Sequence, residues 1–275
     1  MDLTKLDRSQ SPIIWITLIN DGYIEYTLNF LKSMELAGVS FKLIVFCTDD
    51  VSLSRLNGHD NCICFKADFL KHKLPSDLKH WGNMEYKKIV FAKLDAIQYM
   101  LENISKNTMA LEATKCIGVG YIDTDIVLFS DPTDIIVAEM AATPDINIFA
   151  QCDEVGKNCS NALKCKNICT GVIVFRTSAC VGDNSVRTIY PFLKYTDKDI
   201  VANASDQHYL CHTLACAGIT CKTVKKSIFI NGGYYHPEMA CKKVVIPAEC
   251  CLIHFNYIIG DKKKKSMRLQ EMWYI

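Results

Sequence analysis

Residues 12–20 read PIIWITLIN, apolar at odd and even positions alike. A strand with one wet face alternates apolar and polar residues. This one must be covered on both faces, which points to a parallel sheet wrapped by helices. FKLIVFC at 41–47 and NCICFKA at 61–67 follow, and CIGVGYIDTDIVLF at 116–129 is apolar except for two aspartates. Helical periods lie between them. Tyr23, Tyr26, Phe30 and Met34 recur at three- and four-residue spacing, with Asp21 as a cap before them and Gly38 as a stop after. A longer stretch, from about Met84 to Asn103, aligns Ile89, Val90, Leu94, Ile97 and Leu101 on one face. This alternation predicts an α/β fold with a mostly parallel central sheet flanked by helices, whose ligands bind at the carboxyl ends of its strands. The second half is less regular. It offers strands in INIFAQCD, GVIVFR and AECCLIHFNY, a helix from about Ser178 and another in SDQHYLCHTL.

A chain of 275 residues without a composition break or repeat reads as one domain over 1–275. Its 31 basic and 30 acidic side chains leave a net charge of +1, which gives no basic surface for nucleic acid. The first residues, MDLTKLDRSQSP, lack the apolar core of a signal peptide, and no apolar run reaches membrane-spanning length. The expectation is a cytoplasmic protein. The 15 cysteines are odd in number, and many sit inside apolar runs, so they read as small reduced core residues. Cys152, Cys159, Cys165 and Cys169 cluster beside turn residues, but none of their spacings is the C-x₂-C of a structural zinc site.

The segment Tyr121-Ile122-Asp123-Thr124-Asp125-Ile126 carries the most chemistry. An unpaired buried carboxylate costs several kcal/mol, so these two must be paired, lie at the sheet's edge or hold a cation. On an extended chain, residues i and i+2 face the same way, and two oxygen ligands there suit Mg²⁺ or Mn²⁺ bridging to substrate phosphates. Two solvated aspartates in a strand-end turn would give the same pattern.

YIDTDIVLFSDP (121–132), ICTGVIVF (168–175), Asp206-Gln207, and His254-Phe255-Asn256 with Gly260 and Lys262–Lys265 occur in that order. In these blocks the chain resembles the GT-A-fold retaining glycosyltransferases, the family 8-like and nucleotide-diphospho-sugar transferase groups. It is also similar to small soluble glycosyltransferases of chlorella-type large DNA viruses. The resemblance implies a GT-A fold, with a nucleotide-binding half over about 12–130 and an acceptor and catalytic half over about 131–275. It implies Asp123, Asp125 and His254 as metal ligands, with Asp123 also on the ribose. Thr17, Ile19, Asn20 and Tyr23 would form the base and ribose pocket, with Thr124 and Gly260 beside the donor. Lys265 would meet the diphosphate. Lys93 would contact the donor, a role for which Lys87 and Lys88 compete. Asp206 and Gln207 would act near the anomeric carbon, although Asp206 also suits a helix start. The implied cofactor is Mn²⁺ or Mg²⁺, the donor a UDP-sugar with UDP-glucose favoured, and the acceptor a glycan or protein. Cys169 stands where relatives carry Asn, which bears on the choice of sugar.

Three alternatives stay open. A sugar nucleotidyltransferase would show a Gly-rich loop after the first strand, and LINDGYIEY has one glycine. A Cys-rich metal-binding module would account for the cysteines but not for the buried aspartates. An inverting transferase would need a base, for which Asp153 or Glu154 offers itself.

Overall fold

The structure is a computed structural model that describes residues 11–79, 81–106, 116–159, 167–177 and 190–275. Its main sheet is built from β1 (Ile13–Ile19), β2 (Leu43–Cys47), β3 (Cys62–Lys66), β4 (Gly118–Ile122), β6 (Ile148–Cys152), β7 (Ile168–Arg176) and β8 (Cys221–Thr223). The seven strands run in the order β3-β2-β1-β4-β7-β6-β8. β1 pairs in parallel with both β2 and β4, and β3 with β2. β7 runs antiparallel to β4 and β6, so the sheet is mixed.

The apolar pattern of β1 has the predicted consequence. Ile16 faces a core filled by Phe46, Phe91, Leu94 and Tyr121, while Ile13, Trp15 and Ile19 face a second core with Phe30, Leu31 and Phe149. The first core is roofed by α3 (Met84–Lys106), together with the short α5 (Tyr190–Leu193) and α6 (Asp197–Ala202) and the longer α7 (Asp206–Cys216). The second lies under α1 (Ile24–Leu36) and α4 (Pro132–Ala142); α2 (Asp50–Leu56) joins β2 to β3. Trp15 is fully buried and still satisfies its indole, which donates to Thr133 Oγ1 at 3.0 Å. α1 stops as its sequence predicts. Gly38 takes φ +65°, and the Val39 amide reaches back to the Met34 carbonyl at 3.0 Å.

Several expectations shift. Asp21 does not cap α1; it opens a 3₁₀ turn, Asp21–Tyr23, ahead of it. The run 116–129 is two strands rather than one. β4 ends at Ile122, and β5 (Ile126–Leu128) leaves for a small sheet with β9 (Phe229–Asn231) and β10 (Leu252–His254). β10 runs antiparallel to β5 and parallel to β9, with His254 opposite Ile126. The C-terminal α8 (Asp261–Leu269) packs on this small sheet through Met267, in a core with Val127, Ile253 and Phe255. Cys47, Cys116, Cys152, Cys250 and Cys251 are buried free thiols, in keeping with their apolar surroundings, whereas Cys221 is engaged in a disulfide. The helix expected from Ser178 lies outside the described residues. No helix among those residues is long and apolar enough to cross a membrane.

Candidate active site

The break between β4 and β5 builds the site. After Ile122 the chain has lost its place in the main sheet but has not yet joined the small one, so Asp123, Thr124 and Asp125 fill the gap at the strands' carboxyl end. Two backbone bonds hold it open. Asp123 N donates to Gly171 O at 2.8 Å, and Phe255 N donates to Asp125 O at 3.0 Å. The second bond ties the aspartates to β10 and hence to His254. Asp123, Asp125 and His254 each offer a ligand atom, all within 4.8 Å of one another. His254 Nε2 lies 3.1 Å from Asp125 Oδ1 and 3.7 Å from Asp123 Oδ2.

The imidazole is oriented for this task. Gln151 Nε2 donates to Phe229 O at 3.4 Å, which turns Gln151 Oε1 toward His254 Nδ1 at 2.9 Å. Nδ1 therefore carries the proton, and Nε2 presents its lone pair to the carboxylates. Such a lone pair is unfavourable beside an anion and suited to a cation between them. Two carboxylates and one imidazole form a donor set that fits Mn²⁺ or Mg²⁺.

Lysines balance the charge. Lys93 on α3 pairs with Asp123 Oδ2 at 2.7 Å, and Lys263 on α8 pairs with Asp125 Oδ2. Burial works to raise the Asp125 carboxyl, but the Lys263 ammonium paired with it prevails and holds it well below the usual carboxylate range. Burial alone would lower Lys93, and the facing Asp123 and Asp206 keep it well above its ordinary value. Of the three lysines competing on α3, Lys93 is thus the one at the carboxylates, while Lys87 reaches the Val201 carbonyl at 3.5 Å. On α8 the lysine at the site is Lys263. Lys265, expected there, is exposed, and Lys264 pairs with Glu25 at 2.6 Å.

Gly171, expected in a turn ahead of a strand, lies inside β7, where there is no room for a side chain. A Cβ there would fall 2.2 Å from His254 Cε1 and 2.7 Å from Asp123 Oδ2. Gly260 takes φ +60° at the start of α8, a conformation that favours glycine and aims the helix at the site.

The aspartates sit where two cavities meet. The smaller is lined by Ile19, Asn20, Tyr23, Thr48, Tyr86 and Thr124, at the end of β1. Thr17 is buried and takes no part in that lining. The larger, about 950 Å³, runs past Asp153, Cys169, Asp206, Gln207, Asn256 and Gly260. Tyr23, Tyr86, Lys93, Asp123, Asp125 and Lys263 line both.

α7 brings Asp206 and Gln207 to the larger cavity. Ser205 caps the helix, its side chain accepting from the His208 amide. Asp206 is 2% exposed, and burial raises its carboxyl despite the opposing pull of Lys93. Gln207 Nε2 donates to Asp153 Oδ2 at 2.7 Å, and Asn256 Nδ2 donates to Asp153 Oδ1 at 2.8 Å. Asp153 thus has both oxygens engaged. Cys169 faces inward, 3.6 Å from His254 Nδ1. Sequence reasoning gave no role to Gln151 or Tyr86, and within the Lys262–Lys265 block it chose Lys265 where the structure places Lys263. Gln151 had left a signal, as the polar residue inside the apolar run INIFAQC.

The family model for nucleotide-diphospho-sugar transferases matches residues 40–269. Among solved structures, the glycosyltransferase GlyE of Streptococcus pneumoniae TIGR4 is similar over 96% of this chain, with a TM-score of 0.57 at 15% identity. This chain spans 59% of that protein's length. The galactosyltransferase LgtC, solved with donor and acceptor sugar analogs, is similar over 94% of both chains, with a TM-score of 0.53 at 12% identity. These are likenesses of fold. No curated protein matches the sequence significantly.

Proposed function

The chain belongs to the nucleotide-diphospho-sugar transferase family, and from that premise we propose that it is a retaining glycosyltransferase that takes a hexose from a UDP-sugar with the help of Mn²⁺. The observation that carries this reading is the convergence of Asp123, Asp125 and His254 within 4.8 Å, at the junction of two cavities. The smaller cavity takes the nucleoside. Asn20, Tyr23, Thr48 and Tyr86 supply its mixed polar and aromatic wall. The sugar and its acceptor share the larger one, and the diphosphate lies between, within reach of Lys93 and Lys263. An imidazole beside two carboxylates favours Mn²⁺ over Mg²⁺, whose sites are built from oxygen. A bound divalent cation supplies Lewis-acid stabilisation of the leaving diphosphate. Lys93 and Lys263 add point charges to the same oxygens.

Retention draws support from the far wall. Asp206 and Gln207 face the larger cavity together, a carboxylate and an amide suited to positive charge developing at the anomeric carbon. Inversion would need a free base aimed at the acceptor. Asp153 is held on both oxygens by amide donors, and the Glu154 carboxylate accepts from Asn167 Nδ2 at 2.6 Å. UDP-glucose is the favoured donor. Cys169, packed against His254, leaves Asn256 and Gln207 as the amides near the sugar hydroxyls. The acceptor is a glycan, in a cleft large enough for a sugar unit beside the donor's own.

The test is titration calorimetry of UDP with and without Mn²⁺, on the wild type and on Asp125→Ala. Tight binding that needs Mn²⁺ and disappears in the variant establishes the donor site. Slow hydrolysis of UDP-sugars, with the anomer of the released sugar read by NMR, then decides sugar and stereochemistry. Absence of Mn²⁺-dependent binding for both UDP and GDP sinks the proposal.

A further inference from the structure

A second cluster of ligand atoms lies outside the aspartate site. Cys152 Sγ, Cys159 Sγ and a Glu154 carboxylate oxygen lie within 4.8 Å of one another. The spacing C-x-E-x₄-C matches no common sequence pattern for zinc, and the fold makes up for it. β6 ends at Cys152, and the chain then loops back so that Cys159 comes to rest beside the strand it left. Gly156, at φ +85°, turns the loop, and its amide is tied to the Gly233 carbonyl at 2.9 Å. Lys226 is buried, and its ammonium donates to the carbonyls of Glu154 and Gly156, the latter at 2.6 Å. Asp153 N donates to Asn167 O at 2.8 Å. The hoop is held by its own backbone and by Lys226, and both thiols are free rather than joined in a disulfide.

We propose that Cys152, Glu154 and Cys159 bind one Zn²⁺ ion, with water in the fourth position. Two sulfurs and a carboxylate select a borderline-soft tetrahedral cation and discriminate against Mn²⁺ and Mg²⁺. The chain therefore sorts two metals by donor chemistry: a hard site at Asp123, Asp125 and His254, and a soft one at the end of β6. Charge also closes. Two thiolates and one carboxylate carry three negative charges, and Zn²⁺ with the Lys226 ammonium carries three positive. Both thiol protons leave to solvent on loading, so binding tightens as pH rises. Asn167, donating to Glu154 Oε1 at 2.6 Å, orients the ligating carboxylate from outside.

The position gives the ion a consequence. Between the first two ligands stands Asp153, whose carboxylate holds Gln207 and Asn256 in the large cavity. A cation gripping residues 152 and 154 fixes the backbone that carries Asp153. The ion acts on the cleft through that residue and touches no substrate.

Cobalt substitution tests the assignment without recourse to activity. The full-length protein, stripped of metal and handled under argon, is titrated with Co²⁺. One equivalent should produce the thiolate-to-cobalt charge-transfer band and the intense visible bands of a tetrahedral ion, and Zn²⁺ should bleach both. Cys159→Ser, a change at a half-buried position, should abolish the charge-transfer band. Asp125→Ala and Cys241→Ser, the latter at an exposed thiol, should leave it intact. Glu154→Gln should keep the band and weaken Co²⁺ binding at least tenfold. No band in the wild type, a band that survives Cys159→Ser, or one lost in Cys241→Ser overturns the proposal.

Discussion

Lys263 and Lys265 are chemically identical and two residues apart, and the fold gives them different work. α8 is anchored by Met267, fully buried, and by Gln270, 8% exposed. Lys263 is four residues before Met267 and shares its face, whereas Lys265 points away and is exposed. A block of four lysines hides this in one dimension. Reading back from Met267 at helical spacing would have found the right one. Lys263→Ala should weaken Mn²⁺-dependent UDP binding about tenfold, the loss of one charge-assisted hydrogen bond of about 1.5 kcal/mol. Lys265→Ala should leave it unchanged, and calorimetry on the pair decides. Asp206 offers a different kind of prediction. Burial raises its folded-state carboxyl, so the fold prefers the neutral acid. That preference supports stability below the ordinary carboxylate value of about 3.9 and is lost as pH rises through the raised one. At neutral pH the ionised group opposes folding. Asp206→Asn should therefore raise the Tm at pH 7 and lower transfer activity, and its stabilising effect should fade toward pH 3. A lower Tm at pH 7 would count against the burial argument.

At the scale of elements, the strands of the first half were legible because each carries its own signal. β1 must be covered on both faces, and it is. The run 116–129 misled because apolar pattern reports burial and does not report which sheet a strand enters. β4 and β5 are both fully buried, one beside β1 and β7 and the other beside β10, with the aspartates between them. The pairing partner of β5 lies more than a hundred residues away, and no local pattern carries that information. The identity of the acidic residues was legible, and the strand break that exposes them was not. Gly171 reads as part of a turn before a strand, whereas it lies inside β7, and the reason for it, the closeness of His254 Cε1, is tertiary. α7 shows an element acting as a lever. Its Ser205 cap accepts from the His208 amide and also lies 3.0 Å from His208 Nδ1. Ser205→Ala should cost about 1 kcal/mol of stability, as cap deletions do. It should also lower kcat more than it raises KM for the donor, because the first turn of α7 carries Asp206 and Gln207. Urea unfolding and steady-state kinetics on the same preparation separate the two effects. An unchanged kcat would show that the cap serves the helix alone.

The whole molecule joins two halves of the chain at one electrostatic junction. β4 delivers the aspartates, α3 delivers Lys93, and the C-terminal segment delivers His254 and Lys263. Each carboxylate has a lysine partner, so a cation must compete with two ammonium groups for the same oxygens. A diphosphate offers those ammonium groups new acceptors and so removes the competition. Cation and diphosphate should therefore bind cooperatively, with a coupling of about 1–3 kcal/mol as is usual between linked sites. Linkage fixes the form of the result: the factor by which Mn²⁺ tightens UDP must equal the factor by which UDP tightens Mn²⁺. Calorimetry gives the first factor, and paramagnetic resonance of free Mn²⁺ gives the second. Lys263→Ala breaks the symmetry in an informative way. It removes one competitor for the cation and one partner for the diphosphate, so Mn²⁺ alone should bind more tightly than to wild type while UDP binds more weakly. The coupling should fall accordingly. If Mn²⁺ alone binds wild type and Lys263→Ala equally well, the lysine does not guard the carboxylates, and the junction works by positioning rather than by exchange of partners.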